Sequence, residues 1–447
     1  MRTFTANERY CIGLWFPVLL ALALTMGQLR AQSFPASFTQ IAVATGISNP
    51  TVLAFAPDGR IFIAQQNGVL RVVKSGTLLT APFLQLAVDA NGERGLLGIA
   101  FDPDFTTNQY LYVYYTVPSS GTVTVHNRVS RFTANGDIAQ TDSEQVILDL
   151  DPLGATNHNG GSIVFGPDRK LYVTTGENAN PANSQNLDNY LGKVLRVNTD
   201  GSVPIGNPFS TGSEARKRIW AYGLRNPYTL AFQSGTGRLF VNDVGQETWE
   251  EINDATTGGL NFGWPQAEGN SSNPAFTNPV FAYPHSPVGN ENGCAITGGT
   301  FYNPTVTTYP AAYRGHYFYQ DFCNNWINSL DLSGSPVIQS TLAAGLPAFS
   351  VGLTLGNDGN LYYLSRGAGA LYEVIYTNNA LCQSLKTGNW HDTTLWSCGR
   401  IPTTTDRAFV RHAITIGTSL IGEASRIDYE VGGQVRLADG ARLKVGF

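Results

Sequence analysis

Between residues 51 and 375 the chain repeats one pattern six times: an apolar run, a short polar turn and a second apolar run. In the first copy, TVLAFAPDGRIFIAQQNGVLRVV, the turn is Pro57-Asp58-Gly59. The others are GLLGIAFDPDFTTNQYLYVYYT, GGSIVFGPDRKLYVTTGE, PYTLAFQSGTGRLFVNDVGQ, the looser AITGGTFY with GHYFYQDFCNNWINSLDL, and SVGLTLGNDGNLYYLSRGAGALYEV. Alternation of apolar and polar positions in RIFIAQ and KLYVTTGE has the period of two that marks strands packed on at least one side. Third runs such as VLRVV, NRVSRFT and LGKVLRVN follow in several copies. A sheet of three or four antiparallel strands cannot bury both faces alone, so the sheets must stack, and radial closure leaves short edges. The pattern predicts an all-β fold, a six-bladed β-propeller over residues 35–376. Loops from every blade of such a fold meet at the mouth of a central channel, where residues distant in sequence converge.

The two ends depart from the repeat. Arg2 and Arg9 precede the apolar run from Leu14 to Met26, and QLRAQS offers a cleavage site after Ala31, which reads as a signal peptide over residues 1–31. The run is short for a membrane span and nothing later resembles one. The expected location of the mature chain is therefore secreted or periplasmic. Residues 379–447 form short alternating runs with glycine-containing turns and read as a separate small β module, either a fragment of a β-helix or a sorting and adhesion appendage. Trp390 and Trp396 in it are compatible with a carbohydrate or surface contact and equally with a core. With Cys11 set aside, four cysteines remain, Cys294, Cys323, Cys382 and Cys398; their clustering suggests two local disulfides, although four allow three pairings. None forms the close pair of a zinc or iron–sulfur motif.

Composition narrows the partners. A formal net charge of -5 gives no reason to expect nucleic acid or an anionic membrane surface. The 48 glycines and the small charged fraction of 14% suit short strands and tight turns. No glycine-rich stretch fits a phosphate loop or a dinucleotide fingerprint, and no nucleophile elbow occurs.

Candidate chemistry lies just ahead of the inferred first strands. In TNHNGG, His158 precedes the third unit; it is compatible with a turn and equally with a base acting near neutral pH. In AYGLRNPYTLAF, Arg225 and Asn226 hold the same place in the fourth unit, able to hold a developing anion or to make a salt bridge between blades. Glu93 and Arg94 precede the second. In NDVGQETWEEIN, the acids Asp243, Glu247, Glu250 and Glu251, with the turn carbonyls of Gly245 and Gln246, offer hard oxygen ligands for calcium, without EF-hand spacing.

With these residues assembled, the chain resembles the soluble pyrroloquinoline-quinone-dependent sugar dehydrogenases, the glucose/sorbosone dehydrogenase family, on the side of its hedgehog-interacting-protein-like propellers. The matching stretches are ERGLLGIAFDPDF, NHNGGSIVFGPDRKLYVTTGE, LGKVLRVNTDG, WAYGLRNPYTLAF, GRLFVNDVGQETWEEIN and NFGWPQAEG. The resemblance implies a six-bladed propeller with the quinone (PQQ) at the channel mouth beside calcium. It implies oxidation of a small aldose at C1, with His158 as general base, hydride transfer to the quinone C5 and an external electron acceptor. Arg225 would stabilise negative charge on the quinone oxygens, Asn226 would hydrogen-bond the cofactor, and the carbonyls of Gly245 and Gln246 would bind calcium. The resemblance also pairs Cys294 with Cys323; the pairing of Cys382 with Cys398 rests on proximity.

The departures are specific. Glucose-oxidising members carry glutamine where this chain has Glu93 and an acid where it has Asn157, both positions near the cofactor, and a proline commonly stands at Gln246. They also supply a lysine and two arginines from blades five and six, whereas YFYQDFCNNWINS and PAFSVGLTLGNDG contain none of these. Burying the three quinone carboxylates without opposing charge is costly. Arg314 and Arg366, on nearby loops, are the candidates to replace them. The alternative function is a non-catalytic propeller that binds calcium, glycan or protein.

Overall fold

The computed structural model describes residues 32–286, 289–376, 381–404 and 406–446. The signal-peptide reading of residues 1–31 lies outside them.

Six antiparallel sheets follow one another along the chain. Blade one is built on Pro50–Phe55, Ile61–Gln65 and Val69–Lys74, blade two on Leu96–Phe101, Tyr110–Val117 and His126–Asn135. Blade three comprises Ile163–Phe165, Leu171–Thr175, Lys193–Val197 and Ile219–Tyr222. Blade four comprises Pro227–Phe232, Leu239–Asp243, Trp249–Asp254 and Phe281–Pro284, and blade five Ile296–Phe301, Tyr317–Asp321, Trp326–Asp331 and Ile338–Ala343. Blade six has Ser350–Leu355, Leu361–Ser365 and Ala370–Tyr376, and its outer strand is Phe38–Thr45 from the opposite end of the chain. That strand pairs from Phe38 against Tyr376 to Thr45 against Ala370, closing the ring.

The repeated turn has one physical origin. Ala56 N–H donates to Arg60 O, Gly59 takes the left-handed conformation, and the Asp58 carboxylate accepts Arg60 N–H. Gly356 to Asn360 repeats this with Gly359 and Asp358, and Gly166 to Lys170 repeats it with Asp168 but with Arg169 at the left-handed position. An aspartate that satisfies the backbone two residues on lets the chain reverse directly into the second strand. Those second strands are buried along their whole length in blades one, three, four, five and six. The apolar core is correspondingly split into wedges between successive blades. One wedge joins Phe62 and Leu70 of blade one to Leu96 and Val113 of blade two, and another joins Leu364 and Leu371 of blade six back to Leu53 and Ile63 of blade one.

Beyond blade six the strands pair in parallel. Leu381–Gln383, Arg407–Val410 and Arg426–Tyr429 form one ladder, and Gly388–Asn389, Ala413–Ile416 and Gln434–Leu437 form a second. Ile421–Ala424 and Arg442–Val445 form a third. Three parallel ladders stacked in this order have the strand pairing that successive coils of a β-helix would have. Trp390 and Trp396 are buried in the core of this module, their ring centroids 4.8 Å apart, so they are packing residues and not a ligand platform. The module is rooted on the closure point of the ring: Phe409 packs with Ile41 of the closing strand and Ile375 of blade six. Arg407 pairs with Glu373 at 2.8 Å, and Arg426 pairs with Asp358. Disulfides join Cys294 to Cys323 and Cys382 to Cys398.

Candidate functional site at the channel mouth

All six blades contribute to one cavity of about 340 Å³ through residues on or just ahead of their inner strands, Thr51, Leu97, Gly160, Asn226, Ala295 and Val351 among others. Glu93, Gln66 and Arg366 supply its charged and amide groups, and Phe322 part of its apolar wall. A second cavity, of about 410 Å³, continues along the inner strands and shares Thr51, Leu97 and Gly160 with the first.

The TNHNGG segment is folded by close approach to the end of strand Leu171–Thr175. A Cβ on Gly160 would lie 2.9 Å from Thr175 Cα, and one on Gly176 would lie 2.2 Å from His158 O. Asn178 pins the segment from below: its Oδ1 accepts the N–H groups of Gly154 and Ala155, and its Nδ2 donates to Ala155 O and Asn157 O. His158 is thereby held at φ 55°, a left-handed value uncommon for a residue with a side chain. The strain sits at the residue with the most chemistry in the segment.

Glu177, two residues beyond strand Leu171–Thr175, is a site neighbour that the sequence pattern does not mark. Its Oε1 lies 2.5 Å from His158 Nδ1, and its side chain is 1% exposed. A carboxylate on Nδ1 selects the tautomer in which that nitrogen carries the proton and leaves Nε2 with its lone pair. Nε2 takes no partner among the described residues. The signal for the histidine's partner is indirect: the strand that ends at Thr175 must return at the channel mouth, one turn from Gly160.

Glu93 and Asn226 join the neighbouring blades at this point. Glu93 Oε2 accepts the N–H of His158 at 2.8 Å and of Asn226 Nδ2 at 3.3 Å, while Asn226 Oδ1 accepts Gly160 N–H at 3.0 Å. Arg225 makes no ion pair among the described residues, which removes the salt-bridge reading. Its Nη1 donates to Val244 O, its guanidinium lies 5.7 Å from the Trp264 ring, and its Nε is buried without a partner. The backbone N–H groups of Arg225 and Asn226 both point at Asp243, at 2.9 and 2.7 Å. Burial, reinforced by nearby Glu251, pushes the Asp243 carboxyl well above the usual carboxylate range. Burial likewise pushes Glu251 up to about 7.

Gly245 and Gln246 lie in a turn wrapped around another carboxylate. Glu268 Oε1 accepts four successive N–H groups, from Gln246, Glu247, Thr248 and Trp249, at 2.8 to 3.2 Å. Burial raises the Glu268 carboxyl, but these donors outweigh it and hold the group below its ordinary range. With the N–H groups turned inward, the carbonyls of Gly245 and Gln246 accept no hydrogen bond among the described residues. The acids of this segment do not form a carboxylate cage. Glu250 accepts Ile296 N–H and pairs with His285, while Glu251 accepts Gly269 N–H and Asn253 Nδ2.

Of the expected residues, Glu93 and Asn226 line the cavity, whereas Asn157, His158 and Arg225 are not among its lining residues; Asn157 contributes its carbonyl to Asn178. Arg94 is taken up by Asp89 and Ala155 O. Arg366 does line the cavity, held by Gln66 Oε1 at 2.6 Å, whereas Arg314 sits outside it against Thr307.

A model of the family described as Glucose / Sorbosone dehydrogenase matches residues 47–373. The chain is 31% identical over 289 residues to the aldose sugar dehydrogenase YliI of Escherichia coli (strain K12), spanning 60% of this chain and 74% of that relative. It is 29% identical over 357 residues to the HIPL1 protein of Arabidopsis thaliana, spanning 61% of this chain and 50% of that one. The structure of the PQQ-bound form of aldose sugar dehydrogenase from Streptomyces coelicolor matches with a TM-score of 0.63 at 26% identity, over 77% of this chain and 99% of that chain. The six blades, the residues gathered at their shared mouth and the match along nearly the whole ring lead to one assignment: this chain belongs to the glucose/sorbosone dehydrogenase family.

Proposed function

We propose that the protein is a pyrroloquinoline-quinone-dependent aldose dehydrogenase that oxidises its sugar at C1. The observation that carries this reading is the His158–Glu177 pair, which leaves Nε2 unpartnered among the described residues, while the cavity residue Glu93 accepts the His158 backbone N–H and Asn226 Nδ2. The donor set suits the cofactor. Arg366 lines the cavity, the buried Nε of Arg225 lacks a partner, and the carbonyls of Gly245 and Gln246 are free oxygen donors for calcium. The cations absent from the quoted segments of blades five and six are replaced in part by Arg366 from the turn after Leu361–Ser365. When bound, the quinone would supply the acceptor for the hydride leaving C1, and calcium would supply Lewis-acid polarisation.

The chain's own residues do the rest. His158 Nε2 takes the proton of the C1 hydroxyl, and Glu177 stabilises the imidazolium that results. Asn226 and Arg225 orient and neutralise the electron acceptor's oxygens. Glu93 fixes the His158 backbone and the Asn226 amide in one frame. Two disulfides support a secreted or periplasmic location, and no helix of the described residues is long and apolar enough to cross a membrane. Re-oxidation then falls to an external electron acceptor.

Titration of the purified chain with the quinone, with and without calcium, followed by dye reduction with aldoses, tests the proposal. Uptake that needs calcium, aldose turnover, and loss of turnover in a folded His158→Gln variant are expected. Failure to take up the quinone would favour the non-catalytic binding propeller.

A further inference from the structure

Blade six reaches the channel mouth with a residue that has no place in the chemistry above. Phe349 occupies the position just ahead of Ser350–Leu355 that Asn226 occupies ahead of Pro227–Phe232. It is 49% exposed and has φ 61°, a left-handed conformation that is a genuine outlier for a bulky side chain. The conformation is enforced from both sides. Phe349 N–H donates to Asn325 Oδ1 at 2.9 Å, and Phe349 O accepts the N–H of Arg366, the cation that lines the cavity. The ring lies against Phe322, with centroids 5.0 Å apart and planes inclined by 32°, and Phe322 is itself a wall of the cavity. An exposed aromatic held in a strained conformation gains little from the fold, so the strain points to a ligand.

The distribution of groups around the mouth identifies the ligand's chemistry. The cavity's lining combines polar groups, Glu93, Asn226 and Gln66, with apolar ones, Ala295, Phe322 and Val351; Phe349 is not itself among the lining residues and reaches the cavity through Phe322. A volume of about 340 Å³ is at the lower end of small-molecule sites, so a second ring bound above a first ligand would lie toward the rim. A pyranose has a face of C–H groups that packs on aromatic rings and an edge of hydroxyls that seeks amides and carboxylates. We propose that Phe349, backed by Phe322, is the stacking platform for the C–H face of the aldose ring, holding it over the mouth cavity. This rests on the dehydrogenase reading.

The test separates function from folding. Glycine at position 349 removes the ring and also relieves the left-handed backbone. In the calcium- and quinone-loaded enzyme, Phe349→Gly is expected to raise KM for glucose about three- to tenfold. Its kcat, its KM for the dye and its quinone affinity should stay within about twofold, and its melting temperature should equal or exceed that of the unmodified chain. Phe349→Tyr, which keeps the ring, should keep the original KM. An unchanged KM for glucose, a change confined to KM for the dye, or a melting temperature that falls together with sugar affinity would each overturn the proposal. If the unmodified chain turns over no aldose, the dehydrogenase reading fails instead. Saturation-transfer NMR with glucose on the same pair of proteins then decides the platform directly: loss of the glucose signal in Phe349→Gly supports it, and equal or absent signals refute it.

Discussion

Replacing Glu177 by glutamine changes one charge at a place where the structure allows two opposite consequences to be read from one protein. The carboxylate is 1% exposed, and its Oε1 is 2.5 Å from His158 Nδ1. Its Oε2 is buried with no partner among the described residues. The amide carbonyl of glutamine can still accept the Nδ1 proton, so the ring keeps its orientation and tautomer. The charge that stabilises the imidazolium in the transition state is gone. A hydrogen bond to a charged group is worth about 1.5–3 kcal/mol, which corresponds to a fall in kcat of roughly ten- to a hundredfold. KM should move little, because the lost interaction strengthens only as the proton arrives. Stability should not fall in parallel. The unpartnered oxygen becomes an equally unpartnered amide NH₂, so one buried polar cost replaces another while the buried charge is removed. The assay is dye reduction by the reconstituted enzyme at saturating aldose, alongside a thermal melt. Full activity in Glu177→Gln, or a loss of activity tracked by an equal loss of melting temperature, would refute the assignment of His158 as a base oriented by this carboxylate.

Other consequences follow from the groups behind the site. Asp243→Asn should leave either Arg225 N–H or Asn226 N–H facing an amide NH₂, costing about 1–3 kcal/mol in chemical denaturation and weakening quinone uptake. Glu251, raised from 4.5 to about 7 when folded, holds its proton more tightly in the native state than in the unfolded chain. Its contribution is therefore complete below the unfolded value and lost as pH rises from about 4.5 to about 7, roughly 3 kcal/mol in all, with Asp243 acting in the same direction. Melting temperatures measured across this window should decline less steeply in Glu251→Gln, and an unaltered slope would show that Glu251 titrates normally. His158→Gln should abolish turnover while leaving calcium-dependent quinone uptake within a few-fold, as a fluorescence or absorbance titration would report.

Much of this was legible in the chain because propeller blades are local. Each unit's strands are adjacent in sequence, so period-two alternation and the Asp-containing turn mark them directly. The same logic predicts Glu93, His158, Arg225 and Asn226 at one mouth, since each stands just before an inner strand; Glu93 and Asn226 line the cavity, and His158 is tied to Glu93 by its backbone N–H. What escaped was non-local. The closing strand FTQIAVAT lies outside the repeat and more than three hundred residues from its partner in sequence, so nothing near it announces the pairing. Glu177 carries no comparable mark, because it follows the end of strand Leu171–Thr175 whereas the other candidates precede strands. Arg366 could be named but not placed: its role depends on whether the turn after Leu361–Ser365 leans over the channel, which its bond to Gln66 of blade one settles. In NDVGQETWEEIN, counting acids misled, because Glu250 and Glu251 are consumed by backbone N–H groups and by His285.

The seam where the first strand meets the last has a further meaning for the life of the molecule. A ring of sheets joined by one non-covalent seam opens there first, and the seam here is overlaid by the parallel coils through Phe409, Arg407 and Arg426. The coils therefore act as a clasp on the ring: shedding them should leave the mouth and its chemistry intact while shortening the time the protein survives before it unfolds. Loss of residues 381–446 is therefore expected to quicken the opening of the ring, which thermal-inactivation half-lives of the full and shortened chains would report.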